Sequence, residues 1–127
     1  MIRQIFNVES YWKVIVYYNV DYNLFYFITQ KLLDAGASDD KILEIFNTMR
    51  DRKAKAVTYS NTRKHISIVL FNTHHTKEDY INSIVHEAEH IKQAMLYAYN
   101  VEDKGEPPAY TIGYLVMRMW KMFSHFK

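Results

Sequence analysis

The pattern of apolar and polar residues predicts one strand and two helices in the first half of the chain. Residues 11–19, YWKVIVYYN, are rich in β-branched and aromatic side chains, which favours a partly buried strand. Apolar residues then recur at helical spacing from Asp21 or Asn23, either of which suits the N-cap, to Gly36, which suits a left-handed stop. A second helix is expected to begin at Ser38 and to end in the charged run RDRKAK, residues 50–55.

The same pattern predicts a hairpin and two further helices in the second half. AVTYS at 56–60 and HISIVLF at 65–71 are β-type runs, and Asn61 between them suits a turn. Thr76 with Asp79 three residues later resembles a capping box, and the helix that it begins should run to about Asn100. The polar segment 101–108 precedes a last helix in the apolar run AYTIGYLVMRMWKMF. The expected fold is α+β, with a small sheet of about three strands packed against about four helices.

Composition favours a single globular domain over residues 1–127. Nearly half of the residues are hydrophobic, and eleven tyrosines with only three glycines exclude a low-complexity chain. The formal charge is +2 with both signs interspersed, so no basic stripe is available to follow a phosphate backbone. We therefore expect no nucleic-acid partner.

The absence of cysteine limits the chemistry that the chain can carry. Disulfides, thiolate metal sites and cysteine nucleophiles are excluded, so any metal must be held by histidine and carboxylate. The first residues, MIRQIFNVESYWK, lack the apolar core of a signal peptide, and no stretch reaches the ~18 apolar residues of a membrane span. A cytoplasmic protein without a membrane partner is the expectation.

The sequence HEAEH at 86–90 lies on the predicted helix that follows the hairpin. A helix places His86 and His90 on one face, with Cβ atoms about 6 Å apart, so both imidazoles can reach one ion. Zinc held by two histidines and a carboxylate keeps a position for water, and Glu87 stands where a general base can take that water's proton. The alternative is a surface helix that carries the two histidines by chance.

The third ligand is sought among the acidic residues that follow the motif helix. The candidates are Glu102, Asp103 and Glu106, and the two prolines after Glu106 place it at the N-terminal edge of the last helix. We predict Glu106 as the ligand, with a helix-capping carboxylate as the alternative. Tyr110, one helical turn later, is a candidate donor to an oxyanion, although packing is the more common role of a tyrosine.

Four further histidines lie outside the motif. His74 and His75, in the loop before the motif helix, are alternative ligands or substrate contacts, and His74 could close a purely structural metal site. His65 is expected at the surface or at a sheet edge because it alternates away from the apolar residues of its strand. His125 falls in a tail where chain ends usually fray.

The motif resembles that of a known class of enzymes. HEAEH with a carboxylate on the next helix is similar to the zincin metallopeptidases, and to their glutamate-ligand group, the gluzincins. A closer resemblance is to small HExxH proteins of phage and mobile-element origin, which have similar segments in the same order. In this chain, those segments are TYSN at 58–61, NSIVHEAEH at 82–90 and GEPPAY at 105–110, so the resemblance covers the second half.

The resemblance implies a zinc-dependent peptidase that acts on a peptide or protein substrate. It makes His86, His90 and Glu106 the Zn²⁺ ligands and Glu87 the general base. It also implies that the strand before the motif helix, about residues 65–71, is the edge strand to which the substrate backbone pairs.

The alternative from another class is a non-catalytic protein that keeps a zincin scaffold for zinc binding and acts by contact with other proteins. The last helix carries Tyr114, Met117, Trp120 and Phe123, which could pack on a partner chain or on a second copy of this chain. Packing of this helix on its own core is the simpler interpretation.

Overall fold

A four-stranded sheet forms the centre of the computed structural model, which describes residues 1–123. Its strands are β1 (Ile2–Val8), β2 (Trp12–Tyr18), β3 (Ala56–Asn61) and β4 (Ile66–Phe71). They lie in the order β1-β2-β4-β3, with β2 and β4 parallel and the two outer pairs antiparallel. Because parallel strands need a crossover, the chain passes through two helices and β3 between β2 and β4.

Four helices follow the expected order. They are α1 (Phe25–Asp34), α2 (Asp39–Arg50), α3 (Lys77–Tyr99) and α4 (Glu106–Trp120), and a short 3-10 turn precedes α1. The expected α+β class is confirmed.

The helix boundaries are set by side-chain caps that the sequence predicted. The Ser38 hydroxyl accepts a hydrogen bond from the Lys41 amide, and Thr76 does the same for Asp79. Gly36 has φ of 95°, the left-handed conformation that ends a helix. Local backbone chemistry therefore fixes where each of these helices starts or stops.

The helices form layers on both faces of the sheet. α1 and α2 cover one face, where they bury Ile15, Ile68 and Leu70 of the central strands. α3 and α4 cover the other face, against Val14, Val16 and Val69. The two central strands are therefore buried on both sides, and the sheet holds α3 by its apolar face.

The sheet has four strands where about three were expected, because β1 forms an additional strand at one edge. Its residues Phe6 and Val8 are buried, but Gln4 also points toward the α4 side, where its amide donates to the Arg118 carbonyl. The Tyr18 hydroxyl donates to the Gln4 side chain at 2.6 Å. A polar residue with buried partners interrupts the apolar alternation by which a strand is recognised.

The resemblance implied that residues 65–71 form the edge strand, and this was wrong. β4 lies between β2 and β3, so both of its backbone edges are already paired. The run ISIVLF is apolar almost without interruption, which is the pattern of a strand buried on both faces. The edge beside α3 belongs to β3.

The last helix packs largely on its own core. Leu115 and Met119 are fully buried, and Tyr114, Trp120 and Phe123 are partly buried against the same cluster, whereas Met117 is exposed. No helix within residues 1–123 combines the length and the apolar composition needed to cross a membrane.

Candidate metal centre

α3 brings the two histidines of HEAEH together on an exposed face. The Nε2 atoms of His86 and His90 lie 3.2 Å apart, and the ring centroids are separated by 4.8 Å. The opposite face of the helix buries Ile84, Ala88 and Ile91 in the core. The apolar stripe therefore orients the helix, and the histidines face away from the sheet as a consequence.

The separation of the two nitrogens matches the geometry of a tetrahedral ion. With Zn–N distances of about 2.0–2.1 Å, two nitrogens on a tetrahedral zinc lie about 3.3 Å apart. His86 and His90 come close to that spacing without a change of rotamer. Two imidazole nitrogens at this separation are suited to a divalent transition metal, and zinc is the common choice for such donors.

Glu87 lies beside the histidines but points inward. Its side chain is buried, with 3% of its surface exposed, and its Oε1 accepts a hydrogen bond of 2.9 Å from the Thr58 hydroxyl of β3. Burial raises the pKa of Glu87, while the Thr58 hydrogen bond and the two neighbouring histidines act in the opposite direction. A carboxyl with a raised pKa is a stronger base than an ordinary glutamate, which favours the acceptance of a proton.

Glu106 is the first residue of α4, as its proline neighbours predicted, and it is exposed. No hydrogen bond or ion pair joins it to His86 or His90, and within residues 1–123 no three His, Asp or Glu side chains form a complete metal-binding group. The structure thus assembles the histidine pair with Glu87 and leaves the third ligand as a prediction.

Tyr110 lies away from the motif. Its ring is exposed and lines a cleft of about 350 Å³. The other lining residues are Val8, Glu9, Thr111 and Tyr114. No contact connects Tyr110 with His86, Glu87 or His90 in the described part of the chain, so its role as an oxyanion donor stays a prediction.

His74 is held in a hydrogen-bonded chain next to α3. Its Nδ1 is 2.7 Å from the Asn72 carbonyl oxygen, and its Nε2 is 2.7 Å from the hydroxyl of Ser83, a buried residue. Burial lowers the pKa of His74, so the neutral ring is favoured. Both ring nitrogens are engaged, which leaves none directed at the histidine pair.

The remaining histidines have different surroundings. His65, expected at the surface or at a sheet edge, is half-buried: it stacks on Trp12 with ring centroids 5.4 Å apart and meets the Tyr99 ring edge-on. His75 is exposed in its loop. His125 lies outside the described residues.

Sequence reasoning missed a polar network on the same helix. Lys92 is buried, with 8% of its surface exposed, and its ammonium pairs with Glu89 at 2.9 Å and with Asp103 at 3.1 Å. The Gln93 amide donates to the same two carboxylates at 2.9 and 2.8 Å. This Lys92 network joins α3 to the linker before Glu106. Helical spacing predicts the contacts of Glu89 with Lys92 and Gln93, but no local signal predicts Asp103, which lies beyond the helix end.

Thr58 was also missed as a site residue, although a signal existed. Thr58 and Ser60 are polar residues two apart in β3, so they share the face toward α3. The Ser60 hydroxyl is hydrogen-bonded to the Ser67 hydroxyl at 2.6 Å, and the Thr58 hydroxyl to Glu87.

Comparison with protein-family models, with curated proteins and with solved structures finds no match to this chain.

Proposed function

We propose that this protein is a zinc-dependent metallopeptidase with His86, His90 and Glu106 as ligands and Glu87 as the general base. The observation that carries the proposal is the 3.2 Å separation of the His86 and His90 Nε2 atoms, directly beside a buried glutamate. A surface helix with histidines by chance has no reason to combine both features.

The state of the linker carboxylates supports the choice of Glu106 as the third ligand. Asp103 is engaged by Lys92 and Gln93, and Glu102 pairs with Lys104 at 2.8 Å. Glu106 has no such partner among the described residues and stands at the start of α4. Of the three candidates, it alone can turn to an ion without giving up an existing interaction.

The Glu106 side chain has room to turn. It is exposed at the first position of α4, and the linker before it is exposed as well. Rotation about its own side-chain torsions changes the direction of the carboxylate without moving the packed part of α4.

The chemistry follows from the roles of the chain's own residues. His86, His90 and Glu106 would hold a zinc ion, which would supply a Lewis acid for the scissile carbonyl and would lower the pKa of a bound water. Glu87 accepts a proton from the attacking water and delivers it to the leaving amine nitrogen. Thr58 holds one carboxylate oxygen of Glu87, so the other oxygen is available for proton transfer.

The open edge of β3 suits an extended peptide. The backbone amide of Asn72 donates to the Lys55 carbonyl, so Lys55 is hydrogen-bonded to its partner across the hairpin. In an antiparallel pair such residues alternate, so every second residue after Lys55 is also hydrogen-bonded to β4. The backbone groups of Ala56, Thr58 and Ser60 consequently point outward. Thr58 thus offers its backbone to a substrate strand and its hydroxyl to Glu87, so a paired substrate would lie beside the general base.

Hydrolysis by the zinc-loaded chain tests the proposal. The native protein, Glu87→Gln and two Thr58 variants are incubated with a protein-derived peptide library in ¹⁸O-labelled water, and mass spectrometry detects labelled carboxyl termini. Glu87→Gln should retain zinc and lose cleavage. Thr58→Val should lower the rate by about tenfold through loss of a hydrogen bond to the base, and Thr58→Ser should restore it.

Two results would contradict the peptidase. Cleavage that persists in Glu87→Gln would exclude Glu87 as the base. A native chain that binds one zinc but releases no labelled peptide would favour the non-catalytic alternative, a zinc-binding protein that acts by contact.

A further inference from the structure

A cleft of about 620 Å³ opens between the end of α3 and the linker that follows it. Gln93 and Tyr97 line it, and they lie three and seven residues after His90, on the same side of the helix as the histidine pair. Along the helix axis, Tyr97 is about 10 Å from His90, which an extended chain spans in about three residues. The other lining residues are Leu96, Asn100, Val101 and Asp103.

Gln93 and Asp103 of the Lys92 network line one wall of this cleft, and their hydrogen bond joins the two sides of that wall. Asp103 contributes one oxygen to Lys92 and the other to Gln93, so the linker is tied to α3 at a fixed point. A wall that is ordered before a ligand arrives lowers the entropy cost of binding. The cleft is therefore suited to select among side chains.

The lining favours a long side chain with an apolar stem and a positively charged head. Leu96 and Val101 supply apolar surface. The Tyr97 ring is 80% exposed, so its face is open for stacking. The Lys92 network has two carboxylates and one ammonium and is therefore net negative, and its Asp103 lines the cleft. Arginine meets these conditions, because its planar guanidinium stacks on aromatic rings and stays charged.

We propose that this cleft is a specificity subsite that receives an arginine side chain of the polypeptide substrate, within about three residues of the scissile bond. The inference rests on the proposed function, because the histidine pair defines where the bond is cut. Tyr97 is the residue that recognises the guanidinium, and the carboxylates of the Lys92 network supply the complementary charge.

Peptide binding tests the subsite without any need for turnover. The intact chain with Glu87→Gln is labelled with ¹⁵N and loaded with zinc. It is titrated with capped alanine pentapeptides whose central residue is arginine, citrulline or aspartate. Citrulline keeps the shape of arginine and removes its charge. The arginine peptide should shift the amide signals of Tyr97, Asn100 and Val101, with a dissociation constant about two- to fivefold lower than that of the citrulline peptide.

Two substitutions provide the matched comparison. Tyr97→Ala should remove the preference for arginine over citrulline. Tyr26→Ala should leave it intact, since Tyr26 is an equally open phenol, 67% exposed, on α1 across the sheet. Equal binding of the two peptides, or shifts that avoid the cleft, would overturn the inference.

Zinc analysis of the same samples separates this failure from failure of the proposed function. A chain that holds one zinc but shows no arginine preference contradicts the subsite alone. A chain that holds no zinc and still binds the arginine peptide at the cleft contradicts the peptidase, and with it the role of the cleft as a subsite.

Discussion

The two helical layers of this protein differ in what they bury. Every residue that α1 and α2 bury is apolar, whereas α3 buries three polar side chains, Ser83, Glu87 and Lys92, in addition to its apolar stripe. Buried polar groups lower stability unless each finds a partner. The α1–α2 layer thus serves to stabilise the sheet, and α3 carries polar groups whose presence stability does not explain.

The partners of those three residues show how the α3 layer accommodates them. Ser83 bonds to His74, Glu87 to Thr58 and Lys92 to two carboxylates. Each partner belongs to a different segment: the loop before α3, strand β3, and α3 itself with the linker after it. Polar contacts of this kind position side chains by tertiary structure, as a functional site requires.

Truncation of the apolar layer should have the largest effect on stability. Leu32→Ala removes a fully buried side chain of α1 and should lower the free energy of unfolding by about 2–5 kcal/mol. Urea unfolding measures this loss. Zinc binding below the unfolding transition should be unchanged, and a coupled loss of zinc would show that the layers are not independent.

Glu87→Gln should act in the opposite direction. The amide keeps an acceptor for Thr58 and removes a charge that burial disfavours, so the zinc-free protein should gain about 0.5–2 kcal/mol at neutral pH. Thermal unfolding of the zinc-free native and variant chains measures the gain. A loss of stability would mean that the charge of Glu87 is well compensated in the folded chain.

Lys92→Met should have an intermediate effect. The methionine fills the space of the apolar stem, but Glu89 and Asp103 lose their shared cation, which should cost about 1 kcal/mol. Lys104→Met is the matched control, because the Lys104–Glu102 pair is exposed and should contribute almost nothing. Denaturant midpoints of the two variants give the comparison, and equal effects would mean that the burial of Lys92 adds nothing to its ion pairs.

His74 should give the smallest effect, visible as a dependence on pH. Its folded pKa lies below the ordinary 6.5, so the unfolded chain binds more protons as the pH falls through that value. The stability contributed by the neutral ring is complete above pH 6.5 and declines below it. His74→Gln should flatten this part of the stability profile between pH 7 and 5, and an unchanged slope would assign it to other groups.

Whether the sequence predicts a structural feature depends on how many residues separate the partners that form it. The caps at Ser38 and Thr76 were predicted because they bond to amides three residues away. The paired histidines were predicted for the same reason, since helical spacing alone brings them together.

Features that depend on distant segments were not predictable in this way. Strand β1 was missed because Gln4 finds its partners on β2 and α4, and the Lys92 network was missed because Asp103 lies beyond the helix. The position of β4 in the sheet is a different case. Its run ISIVLF is apolar at every position except Ser67, which is the pattern of a central strand, whereas the edge position was implied by the resemblance alone.

Zinc content is the most direct test of the proposed site. The full-length chain, purified without a histidine tag, is compared with His86→Ala, His90→Ala and Glu106→Gln by elemental analysis and by competition with a chelator. Glu102→Gln is the control, because it removes an exposed carboxylate from the same linker. One zinc per chain, lost from both histidine variants and weakened in Glu106→Gln but not in Glu102→Gln, is the expected result. A native chain that takes up no zinc would contradict the site and reduce HEAEH to two histidines on a surface helix.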